Sequence, residues 1–217
     1  MILVAVKNLN LAKQRLAAIL DQPARTALAQ AMIHDVFDAI AACRLRPAVA
    51  VVTGDRFTMD LARTFEFEVI RDDANLSQTA AIEMATCWCL ARGADSTLTL
   101  PGDIPLMQPG ELDEILAVAP FTGSVLVPAS DGRGTNAVYR KPANLFPLRF
   151  GNESFTPHLH VARDTGRPCV VLSLDGIGFD VDRPADVQRL IDAPGQTRAQ
   201  RLARQWGVRQ YPLAVNR

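Results

Sequence analysis

The sequence has no long apolar run and no excess of charge of either sign. Its 217 residues carry 23 Lys and Arg against 23 Asp and Glu, whereas a surface that coats nucleic acid usually needs a clear basic excess. The apolar stretch Ile2–Val6 ends at Lys7 after the length of one strand, which is too short for a signal peptide or a membrane span. These absences predict a cytoplasmic protein that binds neither nucleic acid nor membranes.

Cysteine is also scarce, with four residues and no CxxC pair. Cys87 and Cys89 lie two positions apart in a stretch predicted to be helical, which turns their side chains about 200° apart. Disulfides and structural zinc are therefore not expected, and the cysteines are interpreted as small buried apolar side chains. The three histidines show neither metal-ligand spacing nor a Ser/His/Asp order, and since His158 and His160 face different ways on a predicted helix, they are expected to add little.

Short apolar runs alternate with helical stretches along the chain, more loosely after residue 129. This pattern predicts a single α/β domain over residues 1–195, a three-layer αβα sandwich with a mainly parallel sheet covered on both faces. Residues 196–217 are predicted to be a C-terminal helical tail that packs on this domain or extends from it. Because active sites of such sheets lie at the carboxyl ends of strands, the candidate loops follow the first strand, the strand at 97–100 and residue 129.

The strand predicted at 97–100 runs directly into the segment Pro-Gly-Asp-Ile-Pro at 101–105. Asp103 would therefore project from the carboxyl end of a strand on a stiff backbone. Magnesium typically takes one or two carboxylates together with substrate phosphates, so Asp103 is a candidate metal ligand and catalytic residue. The alternative is a turn aspartate that caps the following helix.

A second pair of carboxylates, Asp180 and Asp182, alternates in a segment expected to be extended, which would place both on one face. Pro184 then opens a helix, so the alternative for Asp182 is a capping role. Carboxylates that are distant in sequence but converge on one ion would hold a triphosphate and stabilise charge at its α-phosphorus. The sequence thus predicts a Mg²⁺ site formed by Asp103, Asp180 and Asp182.

Three cations, Lys7, Lys13 and Arg15, lie within nine residues directly after the first strand. Such a loop can bind triphosphate oxygens and balance a leaving pyrophosphate. It contains no glycine and is therefore not a Walker loop. The alternative is a solvated basic face.

Two later segments, 131–136 and 149–154, combine glycines with hydroxyl and amide side chains. Flexible glycines beside such groups make anion-binding loops, and Ser154 at the start of a predicted helix would add free backbone N–H groups. Either segment alone is equally consistent with an ordinary surface loop.

Taken in order, these segments resemble the CofC/FbiD family of guanylyltransferases from residue 2 to about residue 191. The opening motif of that family is matched by Val6, Lys7, Leu9, Ala12, Lys13, Arg15 and Leu16. Its Asp-Leu-Pro turn is matched at 103–105, its Gly-Thr-Asn/Thr-Ala stretch at 134–137, its Phe-Gly-x-x-Ser motif at 150–154 and its Asp-Val-Asp-x-Pro-x-Asp motif at 180–186. Each motif is weak alone, but five in sequence are specific.

The resemblance implies a nucleotide-diphospho-sugar-transferase-like fold, of the GT-A or Rossmann-like kind. It implies transfer of GMP from GTP to phosphoenolpyruvate, 2-phospholactate or 3-phosphoglycerate in coenzyme F-420 biosynthesis. By that analogy magnesium is held by Asp103, Asp180 and Asp182, and the triphosphate meets Lys7, Lys13 and Arg15. The acceptor acid is held by Thr135, Gly151 and Ser154.

The nucleotide base of the family sits before a helix, where its members often have Gly-Leu-Asn. This sequence has Asn75, Leu76, Ser77 and Gln78 there, so the candidate nucleotide-binding residues are Asn75, Ser77 and Gln78. One alternative is a related nucleotidyltransferase that acts on a molybdopterin or a sugar phosphate. A non-enzymatic alternative is a GTP-binding regulatory domain, and the sequence leaves open whether the chain forms a homodimer.

Overall fold

The computed structural model describes residues 1–74 and 76–206, apart from the side chain of residue 11, and its centre is one seven-stranded sheet. The strands are β1 (Ile2–Val6), β2 (Val49–Thr53), β3 (Glu68–Arg71), β4 (Thr97–Pro101), β5 (Gly123–Pro128), β6 (Thr135–Lys141) and β7 (Cys169–Val171). The helices are α1 (Gln22–Ala42), α2 (Arg56–Thr64), α3 (Gln78–Leu90), α4 (Pro109–Val118), α5 (Phe155–Asp164), α6 (Pro184–Asp192) and α7 (Arg198–Trp206).

The strands lie in the order β3-β2-β1-β4-β6-β5-β7. Four neighbouring pairs are parallel, whereas β6 runs antiparallel to both β4 and β5. The direction in which successive strands are added reverses at β1, which has β2 on one side and β4 on the other. This switch point opens a crevice at the carboxyl ends of β1 and β4, the edge at which the sequence places its candidate loops.

Alternation along β1 assigns its side chains to the two faces of the sheet. Ile2, Val4 and Val6 pack into the larger apolar core with α1, while Leu3 packs into a second core with α3. Both faces are buried because crossover helices of parallel strands must lie above and below the sheet. The predicted three-layer α/β architecture with a mainly parallel sheet is confirmed.

Side-chain caps explain where the helices around the crevice begin. Asp21 accepts a hydrogen bond from the Ala24 N–H at the start of α1, and Asp55 accepts one from the Thr58 N–H at the start of α2. Ser77 does the same for the Ala80 N–H at the start of α3. Each cap satisfies a backbone donor that has no partner inside its helix.

The predicted C-terminal tail contains α7, which contacts α1 and α6. Asp35 of α1 accepts hydrogen bonds from the backbone N–H groups of Arg198 and Ala199, each at 2.8 Å. Ala199 and Ala203 complete the larger core. Residues 207–217 of the tail lie outside the described part of the chain.

Two local expectations are wrong. The segment 178–181, expected to be extended, is a turn and coil that pairs with no strand among the described residues, because Gly178 turns back to donate to the Leu174 carbonyl. Cys43 and Cys89 are buried as expected, but Cys87 is exposed on α3.

In the part of the chain that the structure covers, none of the helices is long and apolar enough to span a bilayer.

Candidate functional site

The loop after β1 is folded into two 3-10 turns, Leu9–Leu11 and Gln14–Leu16. Buried Asp55, which caps α2, also accepts a hydrogen bond from the Leu9 N–H at 3.2 Å and so ties this loop to the end of β2. Lys13 lies between the two turns with φ 53° and ψ 43°. This left-handed conformation is uncommon for a residue other than glycine, and it accompanies a Lys13 side chain that is only 8% exposed.

Asp103 follows β4, on the opposite side of the crevice from the loop after β1. A Cβ at Gly102, the residue before Asp103, would lie 3.1 Å from Val6 Cγ2 and 3.3 Å from Ile33 Cγ1, so a larger residue would have to displace these side chains slightly. The Asp103 carbonyl accepts a hydrogen bond from the Val181 N–H at 3.1 Å. This backbone contact brings the segment of Asp180 and Asp182 to the end of β4.

Asp182 does not cap α6. The Asp186 carboxylate accepts hydrogen bonds from the N–H groups of Asp182 and Arg183, at 3.1 and 2.8 Å. Asp186 therefore does the capping, and the Asp182 side chain is left to make other contacts. Asp180, in turn, accepts a hydrogen bond at 3.2 Å from the Asn136 amide, which also donates to the Ile177 carbonyl.

The ammonium group of Lys13 joins the carboxylates across the crevice. Its Nζ lies 2.5 Å from Asp103 Oδ2 and 2.8 Å from Asp182 Oδ1. Arg15 adds a second contact to Asp182, at 3.2 Å, and donates to the Asn152 side chain at 3.2 Å. Three loops thus bring two cations, Lys13 and Arg15, close to three carboxylates, and Asn152 joins them from a fourth loop.

The pKa values of these groups reflect the convergence. Burial lowers the pKa of Lys13, but the charges of Asp103 and Asp182 outweigh burial and raise it above its usual value. Burial raises the pKa of Asp182, but Lys13 and Arg15 outweigh burial and hold it below its usual value. The pKa of Asp180 is raised by burial and by the charges of Asp103 and Asp182. Asp180 therefore faces like charge without a cationic partner of its own in these contacts.

Two cavities meet at these charges. The first cavity, of about 420 Å³, is lined by residues that include Lys7, Lys13, Asp72, Gln78 and Asp103. The second cavity, of about 310 Å³, is lined by a set that includes Arg15, Asp103, Arg133, Thr135, Asn136, Gly151, Asn152, Ser154, Asp180 and Asp182. Both cavities are lined by Asp103, Asp182, Gln78 and Pro101, so the two cavities adjoin beside the carboxylates.

Two hydroxyls form one wall of the second cavity. Ser154 precedes α5 but makes no side-chain cap, and its Oγ lies 3.2 Å from Thr135 Oγ1. The Nδ1 atom of His158 lies 3.0 Å from the same Thr135 oxygen. The sequence analysis missed His158, although its position four residues after Ser154 predicts the same helix face.

The segment between β6 and α5 that leads to Gly151 is hydrogen-bonded to α3 and α5. The Leu148 N–H donates to Glu83 Oε1 and the Phe150 N–H donates to Thr79 Oγ1, both at 3.0 Å. Further back, buried Arg140 donates to the Phe146 carbonyl. The wall that carries Gly151 is therefore built on rigid elements.

The candidate nucleotide-binding residues lie in different places relative to the two cavities. Gln78 lines both cavities, while the Ser77 hydroxyl is engaged in capping α3 and lines neither. Asn75 lies outside the described residues. Lys7 is exposed at the mouth of the first cavity.

The donor set fits a magnesium ion that is shared with a ligand. Among the described residues, no group of three or more His, Cys, Asp or Glu side chains is placed so that it could hold a metal ion. Magnesium needs only one or two carboxylates when phosphates and water complete its shell. Asp103 and Asp180 border the same cavity, and burial together with the charges of Asp103 and Asp182 raises the pKa of Asp180.

A larger groove of about 1410 Å³ lies between α1, α4 and the loops around α6. Its lining, as far as the described residues go, includes none of Asp103, Asp180 and Asp182. The convergence of charge therefore singles out the two smaller cavities.

Comparison with known proteins gives one family. The family model described as guanylyl transferase CofC like matches residues 1–212. A phosphoenolpyruvate guanylyltransferase of Rubrobacter xylanophilus is 35% identical over 86% of this chain and 91% of its own length. A 3-phospho-D-glycerate guanylyltransferase of Colwellia psychrerythraea is 30% identical over 87% and 90%, and a 2-phospho-L-lactate guanylyltransferase of Methanothermobacter thermautotrophicus is 30% identical over 87% and 82%.

Among solved structures, one from Desulfovibrio desulfuricans named as a nucleotide-diphospho-sugar transferase superimposes with a TM-score of 0.76. The match covers 94% of this chain and 93% of that one, at 18% identity. At this identity the likeness concerns the fold alone. It agrees with the fold that the sequence motifs imply.

Proposed function

This chain belongs to the CofC-like family of guanylyl transferases, and from that premise we propose that it moves GMP from GTP to a small phosphorylated three-carbon acid, with release of pyrophosphate. The proposed step is part of coenzyme F-420 biosynthesis. The observation that carries the proposal is the convergence of Lys13, Asp103, Asp180 and Asp182 where the two cavities meet. A transfer between two ligands needs such a shared point.

The first cavity is proposed to hold GTP. Its volume of about 420 Å³ falls in the usual range for a small-molecule site. Lys7 and Lys13 would bind triphosphate oxygens, because ammonium groups bind phosphate as point charges. Gln78 and Asp72 line the same cavity, and an amide and a carboxylate complement the hydrogen-bonding edge of guanine.

The second cavity is proposed to hold the acceptor acid. Thr135, Gly151 and Ser154 line it together with the guanidinium groups of Arg15 and Arg133. Hydroxyls, a glycine backbone and arginines suit a carboxylate and a phosphate on one small molecule. Relatives that are named for three different acids are 30–35% identical to this chain, so identity alone does not choose the acid.

The chemistry is proposed to be a direct displacement. A phosphate oxygen of the acid attacks the α-phosphorus of GTP, a new P–O bond forms, and the bond to the β-phosphate breaks with its electron pair leaving on pyrophosphate. The attacking phosphate is already anionic, so no general base is required, and catalysis rests on positioning and charge stabilisation. Lys13 and Arg15 would stabilise the charge that develops between the two cavities.

Magnesium dependence is part of the same proposal. Asp103 and Asp180 would hold the ion, which supplies charge neutralisation at the transferred phosphate when it is bound. Asp182, which contacts Lys13 and Arg15 as Asp103 contacts Lys13, would be a further ligand or would orient these cations.

The test is a pyrophosphate-release assay with GTP, Mg²⁺ and each of the three acids in turn. One acid should give turnover and a GMP–acid product by mass spectrometry. Parallel reactions with other nucleotides, sugar phosphates and a molybdopterin test the competing enzymes. Turnover that required a sugar phosphate or pterin would refute the proposal, and GTP binding without turnover for any acceptor would favour a regulatory domain.

A further inference from the structure

His158 lies in α5 one turn after Ser154, and it is fully buried. Its ring does not line the second cavity, but it contacts Thr135, and Thr135 does line that cavity. Phe150 packs against the ring edge to face, with centroids 5.2 Å apart. The imidazole is therefore fixed behind the cavity wall, with both nitrogens engaged.

The hydrogen bonds of His158 determine its tautomer. The backbone N–H of Arg149 points at Nε2 from 2.8 Å, and a backbone N–H can only donate. Nε2 must therefore be the bare, accepting nitrogen, which leaves the proton of the neutral ring on Nδ1. Nδ1–H then donates to Thr135 Oγ1 at 3.0 Å.

The ring is also held neutral. Burial is the main cause, and the nearby charge of Arg140 adds to it, so that the pKa of His158 falls to about 4. A protonated ring would lose the Arg149 contact, since both nitrogens would be donors. The Nδ1–H tautomer is thus the form present at neutral pH.

The hydroxyl pair has a fixed number of donors. Thr135 and Ser154 carry two hydroxyl hydrogens, and one of them is used between their oxygens, which lie 3.2 Å apart. Because His158 can only donate to Thr135 Oγ1, it takes up neither hydrogen. Neither oxygen donates to any other group among the described residues, so one hydroxyl hydrogen is available to a ligand in the cavity, whichever hydroxyl donates to the other.

We propose that His158 is a positioning residue that fixes the Thr135–Ser154 hydroxyl pair as a hydrogen-bond donor to an anionic oxygen of the acceptor. This inference rests on the proposed function, because it names what selects the acceptor. A His158 of the opposite tautomer would accept from Thr135 and remove the spare donor. The pair therefore favours a carboxylate or phosphate oxygen over an amide N–H or an ammonium group.

Two substitutions separate the two hydrogen bonds of His158. His158→Asn places an amide N–H near the position of Nδ1 and can still donate to Thr135, but it has nothing at the position of Nε2. His158→Gln places its amide oxygen near the position of Nε2 and can still accept from Arg149, but it does not supply the donor to Thr135. Both remove the same buried ring, and the replacement side chains differ by only one methylene group, so each controls for most of the cavity that the other creates.

The closing experiment measures KM for the acceptor and for GTP separately, with the acid that gives turnover in the wild type. H158Q should raise acceptor KM by roughly tenfold, about the value of one oriented hydrogen bond to a charged group, while H158N stays within about threefold. KM for GTP should be unchanged in both. Thr135→Val should match H158Q, and the double variant T135V/H158Q should add nothing further, because His158 acts through that hydroxyl.

Equal acceptor KM values for H158Q and H158N, or multiplicative effects in the double variant, would overturn the inference. A second arm needs no turnover: nitrogen NMR of the histidines in the wild type should show His158 with a protonated Nδ1 and a bare Nε2, with the Nδ1 signal shifted in T135V. An Nε2–H tautomer would overturn the inference by itself. Absence of turnover with every acid would instead count against the proposed function, and the tautomer would still decide the role of His158.

Discussion

Lys13 Nζ lies 2.5 Å from Asp103 Oδ2, although 90 positions separate the two residues in the chain. The same ammonium group reaches Asp182, 169 positions away, at 2.8 Å. This one side chain bridges the crevice between the ends of β1 and β4 and balances the charge of two of the three carboxylates. Asp180 is the third, and it has no share in these ion pairs.

The first prediction concerns Asp103. Asp103→Asn keeps the shape of the side chain but removes the charge at the point that both cavities share. We expect kcat to fall on the order of 10²–10³-fold, as when one preorganised electrostatic contact is removed from an active site. Steady-state pyrophosphate release measures it. Asp60→Asn is the matched control, since Asp60 is an exposed α2 residue paired with Arg63. If D103N kept as much activity as D60N, Asp103 would not be a catalytic residue.

The second prediction concerns Lys13. Lys13→Met leaves Asp103 and Asp182 facing each other without their shared ammonium, so the melting temperature should fall at neutral pH. Millimolar Mg²⁺ should then raise the melting temperature of K13M more than that of the wild type, because a cation can replace the lost charge. Differential scanning fluorimetry with and without EDTA measures both effects.

Lys141→Met controls for the loss of a lysine. Lys141 pairs with the exposed Asp95 at 2.9 Å, and a pair in that setting contributes little to stability. An equal Mg²⁺ response in K13M and K141M would show that the ion does not bind at the vacated position.

The third prediction contrasts Asp180 and Asp182 by the sign of their pKa shifts. The raised pKa of Asp180 means that ionising it costs folding free energy, a cost that is absent below its usual pKa of 3.8 and complete above the raised value. The lowered pKa of Asp182 means that its ionised form stabilises the fold above pH 3.8, and this stabilisation is lost as pH falls through the lower value.

At pH 7 we therefore expect Asp180→Asn to raise the melting temperature and Asp182→Asn to lower it. Both differences should shrink towards acidic pH, and both variants should lose activity. Thermal unfolding from pH 3 to pH 8 checks the signs. Shifts in the same direction for the two variants at pH 7 would be inconsistent with the charge arrangement.

The fourth prediction concerns Arg140, which is fully buried. Its guanidinium donates to the Phe146 carbonyl at 2.5 Å and to Thr86 Oγ1 at 3.0 Å. Arg140→Met leaves these acceptors buried without donors, which should cost roughly 2–4 kcal/mol of unfolding free energy. Urea denaturation measures this loss, and Arg163→Met on the exposed side of α5 is the control. If R140M lost less unfolding free energy than R163M, the buried contacts of Arg140 would not contribute to stability.

The sequence by itself determined the fold class and the family. Strand and helix periods and the five ordered motifs depend on neighbouring residues, so they can be recognised along the chain. The resemblance to the guanylyltransferase family is confirmed by the match over residues 1–212. The roles assigned to Asp103, Asp180 and Asp182 remain predictions, although the structure brings all three to one cavity.

Only the tertiary structure decided which partners these residues have. Lys13, for example, pairs with Asp103 and Asp182, which lie 90 and 169 positions further along the chain. Likewise, His158 in α5 gains its place at the site from Thr135, 23 positions earlier in β6. Hydrogen bonds between residues this far apart depend on how strands and helices pack, and no local period or spacing in the sequence encodes that packing.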